Sequence, residues 1–394
     1  MKRILIINTL YAPYIGGGAE IICQEHAERL AARGHHVAVL TTTYKDGITE
    51  DEVNEVKVYR AHIENVYWHY GKTKQSKRKR ILWHLRDIYN PKMKCYVRDV
   101  IKTERPGVVI CHNITGFSIS VWDVIKEFQL PIIQVLHDQY LQCINSSAFK
   151  DGKACERQCS ICHIMRFPHV KASRKVDVAV GVSQYVLSRF TALEYFQGCK
   201  QIVIHNARRF DDIPMNEPWD GKRPLRIGYI GTLSRVKGVE WLIHSFMELD
   251  INATLTIAGC GETEVYERHL HELAANDNRI SFSGYVKSIE HYKKIDLSVI
   301  PSLWPDTFPT VAFESCAYNV PVIATNMGGL PEIIIDNTNG ILCNSKNKDS
   351  LKLAIMKLYN NPSILNKYAR KAKKSVMEMT DIDEVINKYE KLIQ

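Results

Sequence analysis

The chain has 394 residues, 45% of them apolar, and a formal net charge of +9. That length exceeds one ordinary hydrophobic core and predicts two domains. Eleven cysteines in a chain of this size exclude a small disulfide scaffold and favour the cytoplasm, and no apolar run is long enough to cross a bilayer.

In chain order, "RILIINTL" predicts a first buried strand rather than a secretion signal, since no small-residue cleavage site follows it. A glycine loop, "YAPYIGGGAE", leads into a helix that ends at Gly34, and "HHVAVLTT" gives the next strand. Further strands are predicted at 107–112, 131–137, 176–183 and 201–206. All are apolar without clean alternation, as parallel strands covered on both faces are. Between them, residues 72–105 hold twelve basic residues against three acidic ones, which equals the whole positive excess of the chain. In "RKRILWHLRDIY" the apolar positions Ile81, Leu82, Leu85, Ile88 and Tyr89 fall at helical spacing beside the charges. The stripe either packs on the first domain or meets an anionic membrane.

Residues 207–224, polar and proline-flanked around Trp219, read as a linker. The alternation then restarts with "LRIGYIGTL", "ATLTIAGCG", "RISFSGYV", "DLSVIPS", "VPVIATNM" and "GILCN" as strands, helices lying between them. Residues 350–394 read as helices. The pattern predicts an α/β protein of two doubly wound, Rossmann-like halves. We place an N-terminal domain at 1–206 and a C-terminal domain at 225–375. A final helical stretch, 376–394, is expected to return to the N-terminal domain. In such sheets ligands bind at the carboxyl ends of strands, where the motif-bearing loops fall.

One of those loops is "PSLWPDTFPTVAFESCAYNVPVIAT" (301–325). A helix is expected at about 309–318 with Pro309 near its first position. Its first amides, those of Thr310 and Val311, would face a phosphate. Glu314, one turn in, has the reach to accept hydrogen bonds from vicinal hydroxyls, and Asp306 the reach to hold a second ring. A local cap or salt bridge is the plainer alternative for Glu314.

As an ordered set, "GYIGTLSRVKGVEWLI", "TIAGCGE", "FSGYV", the 301–325 loop with its continuation to "GGLPEII", and "NGILC" resemble the retaining glycosyltransferases of family 4. "YIGGGAE" resembles the glycine loop of that family and "LHDQYLQC" its acceptor-side His-Asp motif. The resemblance implies the GT-B fold, two Rossmann-like domains facing across a cleft, and transfer of a sugar from a nucleotide-sugar donor to a saccharide or lipid-linked acceptor. It assigns the ribose to Glu314, the diphosphate to Lys237 and the donor sugar to Asp306, which replaces the first glutamate of the usual pair. Gly17 and Gly18 let the backbone approach the donor phosphate. His137, and His112 before it, touch the sugar or acceptor. Thr232 stands where members often carry an arginine, which leaves Arg235 as the nearest guanidinium. Cleavage is expected without a metal or other cofactor. The Asp381-Ile382-Asp383 run is expected to face solvent.

Cys143, Cys155, Cys159 and Cys162 have spacings compatible with a structural zinc pinning a loop, with free thiols or a disulfide as alternatives. Two other functions compete with transfer: an epimerase or hydrolase on the same fold, and a basic nucleic-acid-binding protein. Residues 72–105 contain no recognised nucleic-acid module. The expected setting is therefore cytoplasmic, peripheral on the inner face of a membrane, with no nucleic acid as partner.

Overall fold

The computed structural model describes residues 1–71, 75–150, 152–210 and 215–394. Lys72 and Lys74 of the basic segment, and residues 211–214 of the 207–224 stretch, lie outside the described residues.

The chain opens with β1 (Arg3–Ile7), α1 (Gly18–Ala32), β2 (His36–Thr43), β3 (Ile48–Val53) and β4 (Val56–His62). It continues through α2 (Lys77–Ile88), α3 (Met93–Glu104), β5 (Val108–Cys111), α4 (Ser120–Glu127) and β6 (Ile132–Leu136). A small hairpin follows, β7 (Phe149–Lys150) and β8 (Lys153–Ala154), then α5 (Ser160–Ala172), β9 (Val178–Gly181), α6 (Gln184–Thr191) and β10 (Lys200–Val203). The second alternation runs β11 (Leu225–Ile230), α7 (Val239–Met247), β12 (Ala253–Ala258), α8 (Glu264–Ala274), β13 (Ile280–Gly284) and α9 (Ser288–Tyr292). It ends with β14 (Leu297–Ile300), α10 (Thr310–Ala317), β15 (Val322–Thr325), α11 (Leu330–Ile333) and β16 (Gly340–Cys343). Helices α12 (Ser350–Tyr359), α13 (Pro362–Ser375), α14 (Met377–Thr380) and α15 (Ile382–Leu392) close the chain.

Two compact units result. One comprises Met1–Ala148, Cys155–Arg208 and Ile382–Gln394, the other Phe149–Ala154 and Arg209–Asp381. In unit 1 the strand order is β10-β9-β6-β5-β1-β2-β4-β3, parallel throughout except for β3, which runs antiparallel to β4. The β3–β4 hairpin was not among the expected strands. Its turn residues, Asn54 and Glu55, both have positive φ (49° and 66°), the conformation that a two-residue hairpin requires. The central strands β5 and β6 are buried along their whole length, which their Val/Ile-rich sequences allow. Strand order reverses direction between β1 and β5, so the crevice of this sheet opens at their carboxyl ends.

Unit 2 has the fully parallel order β13-β12-β11-β14-β15-β16, with its reversal between β11 and β14. Trp219 belongs to its core: the ring is buried beside Tyr359, and its Nε1–H donates to the Arg223 carbonyl at 2.8 Å. Helix α15 packs on α1 in unit 1. Arg29 Nε donates to Asp383 Oδ1 at 2.7 Å, Arg33 to Asp383 and Glu390, and His35 bonds Glu390 at 3.0 Å. Asp383 therefore does not face solvent unpartnered. Its two arginines pull its carboxyl down to about 2.

Candidate functional site

The switch point of unit 2 gathers the motif residues. After β14 the loop 301–309 is tied down on several sides. Thr325 Oγ1 donates to the Ser302 carbonyl at 2.7 Å, and the Gly329 amide donates to the Asp306 carbonyl at 2.8 Å. Gly328 has φ +60°, and a Cβ there would lie 2.1 Å from the Asp306 oxygen, so this approach requires glycine. Helix α10 follows. Pro309 is its N-cap rather than its first helical residue, with φ −71°, because the loop is still extended there. Thr310 and Val311 are the first helical residues, and their amides precede the helical ladder, as the first amides of any helix do. Ala312, Phe313 and Cys316 face the core, Phe313 against Phe308 and Phe210, which turns the polar side of the first turn away from it. Glu314 is only 4% exposed.

The loop after β11 meets this one. Residues Arg235–Lys237 form a single 3-10 turn that ends at Gly238, φ +72°. A Cβ on Gly238 would sit 1.9 Å from the Pro301 carbonyl oxygen, and the Leu303 amide donates to the Val236 carbonyl at 2.8 Å. The two loops are thus locked backbone to backbone, and Lys237 is aimed at Asp306. Its Nζ donates to Asp306 Oδ2 at 2.6 Å and lies 4.7 Å from the Trp304 ring centre. Trp304 was not among the expected site residues. Its place between Ser302 and Asp306 in the same loop was the available signal. Arg235 extends elsewhere, 76% exposed, over the Tyr266 ring and 3.8 Å from Glu240. A cation, a carboxylate beside it, helix-start amides that precede the ladder and a buried carboxylate one turn on can bind an anion at one end and a diol at the other.

In unit 1 the switch point holds the other candidates. Gly17 is the N-cap of α1 and Gly18 its first residue. The Gly17 backbone is extended, and its amide donates to Glu20 Oε2 at 2.7 Å. Glu20 is buried, which raises its carboxyl against the opposing pull of that amide. The Gly17 amide is therefore already engaged by the Glu20 carboxyl. His112, after β5, and His137, after β6, are brought together: Nδ1 of the first lies 2.8 Å from Nε2 of the second, with the rings stacked. His26 of α1, which was not among the expected site residues, adds a third ring 5.7 Å from His112. Burial lowers all three, His137 to about 4 and His26 to about 3, so the cluster is neutral near pH 7. The His112 Nε2 and both His26 nitrogens have no hydrogen-bond partner among the described residues. Burial also lifts Asp138, the acid of the His-Asp motif, to about 7.

The zinc expectation is not supported. Cys143 and Cys162 approach to 4.0 Å between sulfurs, but among the described residues no group of three or more His, Cys, Asp or Glu could hold a metal ion. The expected loop holds the β7–β8 hairpin, and its end enters helix α5. The helix starts directly after Cys159, its N-cap, and carries Cys162 on its buried face. All eleven cysteines are thiols. The Cys162 thiol pulls the Cys143 thiol down to about 6.

Two family models match the chain: Glycosyltransferase Family 4 over residues 16–209 and Glycosyl transferases group 1 over residues 212–375. An uncharacterized 42.6 kDa protein in the cps region of Klebsiella pneumoniae is 29% identical, over 84% of this chain and 87% of its own length. An uncharacterized glycosyltransferase of Methanocaldococcus jannaschii is 27% identical over 98% of this chain and 97% of its own. Among solved structures, sucrose-phosphate synthase from Thermosynechococcus elongatus superposes with a TM-score of 0.78 at 16% identity, covering 100% of this chain and 98% of that one. HepE of Anabaena in complex with UDP and glucose gives 0.72 at 16% identity, covering 100% and 99%. The shared architecture is the GT-B fold.

Proposed function

Because the chain belongs to glycosyltransferase family 4, of the group 1 type, we propose that it moves a hexosyl group from a nucleotide-sugar donor to a saccharide or lipid-linked acceptor. The process served is cell-surface polysaccharide synthesis, and the anomeric configuration is retained. The observation that carries this reading is the Lys237–Asp306 pair at the mouth of α10, one turn from the buried Glu314. The cps-region relative supports the process, and the HepE complex with UDP and glucose supports the class of donor.

In this reading Glu314 accepts hydrogen bonds from the ribose diol. The amides of Thr310 and Val311 and the ammonium of Lys237 meet the diphosphate. As the bond to the anomeric carbon breaks, negative charge grows on the leaving β-phosphate, and a fixed cation with aligned amides stabilises that charge more than the ground state. Asp306 holds Lys237 until the donor arrives and is then free to accept from a sugar hydroxyl. In unit 1, the neutral imidazoles of His112 and His137 can donate to or accept from hydroxyls without adding charge. Arg235 joins the phosphate site only by leaving Tyr266. In unit 1, Gly17 and Gly18 can offer amides to an anion if Glu20 yields. The acceptor attacks from the face that the diphosphate leaves and passes its proton to a phosphate oxygen. In this reading the basic 72–105 segment meets the cytoplasmic side of an anionic membrane, where a lipid-linked acceptor resides.

A thermal-shift screen of nucleotide sugars tests the donor class. One of them is expected to raise the melting temperature, because a ligand bound only by the folded state must do so. The matching free sugar is expected to have no effect. Stabilisation by none of them would refute the donor class.

A further inference from the structure

Helix α2 turns its apolar stripe outward. Ile81, Leu82 and Leu85 are exposed, as is Tyr89 just after the helix, while Trp83 and Asp87 are buried. Polar tips hold the inward side: Trp83 Nε1 donates to the Tyr67 carbonyl at 3.0 Å, and Asp87 Oδ1 accepts from the Gly116 amide at 2.7 Å. Ile81, Leu82 and Leu85 therefore do not pack on their own domain, while Ile88 is half-buried and the Tyr89 hydroxyl bonds Asp123. Helix α5 packs against α2 and repeats the arrangement. Cys162, Arg166 and His169 face inward, Arg166 donating to His169 at 3.0 Å. Ile161, Ile164 and Phe167 face outward, the last two 73% and 65% exposed. Seven of the sixteen large apolar side chains exposed among the described residues lie on these two helices or at Tyr89. Single exposed apolar residues are ordinary, but a cluster of this kind marks a surface that something covers.

Charge identifies the occupant. Helix α2 carries Lys77, Arg78, Lys79, Arg80 and Arg86, all exposed, and its one acid, Asp87, is buried. Helix α5 has no acid at all. A second copy of the chain would set these cations against themselves. A nucleic acid would satisfy the cations and leave Ile164 and Phe167 in water. An anionic bilayer supplies headgroup phosphates for the first and an acyl boundary for the second.

We propose that α2 and α5 together form a membrane-docking face, with the apolar side chains of both helices entering the interface of an anionic lipid surface. This rests on the membrane reading above and deepens it: docking is not purely electrostatic, and it requires a helix outside the basic segment.

The test is co-sedimentation of the full chain with phosphatidylcholine vesicles, with and without phosphatidylglycerol. Binding is expected only with the anionic lipid, weakened by salt but not abolished. Ile164→Ser combined with Phe167→Ser is expected to lower vesicle binding about tenfold or more. Leu82→Ser combined with Leu85→Ser is expected to do the same. Both exposed-site variants are expected to keep the wild-type melting temperature and nucleotide-sugar stabilisation. Unchanged binding in the α5 variant, with loss on neutralising Lys77, Arg78, Lys79 and Arg80, would overturn the proposal in favour of electrostatic docking by α2 alone. A wild-type dimer in vesicle-free sedimentation that the α5 variant turns into monomer would overturn it in favour of a self-association face. Neither result bears on the donor class, which the nucleotide-sugar screen tests separately.

Discussion

Lys237→Ala is expected to lower kcat about a hundredfold or more, while the donor KM rises less than about tenfold. The asymmetry follows from geometry. The Cα of Lys237 is fixed by the Gly238–Pro301 approach and the Leu303–Val236 hydrogen bond, so its ammonium is held in place before a donor binds. In the resting structure that ammonium already has a counter-ion, Asp306, at 2.6 Å. Binding a diphosphate exchanges one anion for another and gains little. Departure of the diphosphate increases the negative charge facing the same cation, and only there does the interaction strengthen. Removing one such stabilising group costs on the order of 3 kcal/mol in the transition state. Folding should be spared, since both partners keep access to water and such pairs contribute about 1 kcal/mol or less. Steady-state kinetics with varied donor checks the split. Equal losses in kcat and in donor affinity would mean that Lys237 serves ground-state binding alone.

Glu314→Ala is expected to weaken nucleotide-sugar binding by about two to three orders of magnitude. A hydrogen bond to a charged acceptor contributes about 1.5–3 kcal/mol, and a diol makes two. Glu314→Gln keeps the shape and one acceptor oxygen and should fall between. Calorimetric titration with the stabilising nucleotide sugar measures this, and melting of the unliganded variants separates binding from folding. Binding at wild-type strength in Glu314→Ala would remove the ribose assignment and return Glu314 to a structural role.

Much of this site is legible in the sequence because loops at strand ends carry their own signals. The "VKG" turn, the proline before Thr310 and the paired glycines 328 and 329 each answer a backbone need that the structure makes visible. What escaped reading was direction. A stripe at 81, 82, 85, 88 and 89 is apparent from spacing, but spacing does not say which side of a helix the protein covers. Trp83 and Asp87 decide it, because their polar tips find partners at Tyr67 and Gly116, leaving the aliphatic side outward. The start of helix α5 was hidden by Cys159 and Cys162, whose spacing with Cys143 and Cys155 suggested a metal loop; the helix forms with Pro168 inside it. The β3–β4 hairpin was missed because "ITEDEVNEVKVYRAH" is charged. Its alternation and the Asn54–Glu55 turn were the signals available. The Asp306–Lys237 contact joins residues far apart in the chain, and nothing local announces it.

The central claim is sugar transfer with retention, and product analysis tests it most directly. The full chain, incubated with the nucleotide sugar that stabilises it and with a lipid-linked saccharide acceptor, is expected to release nucleoside diphosphate only when acceptor is present. Proton NMR of the extended acceptor is expected to find the new linkage with the anomeric configuration of the donor. Release of nucleoside diphosphate at the same rate without acceptor, or a product of inverted configuration, would contradict the account.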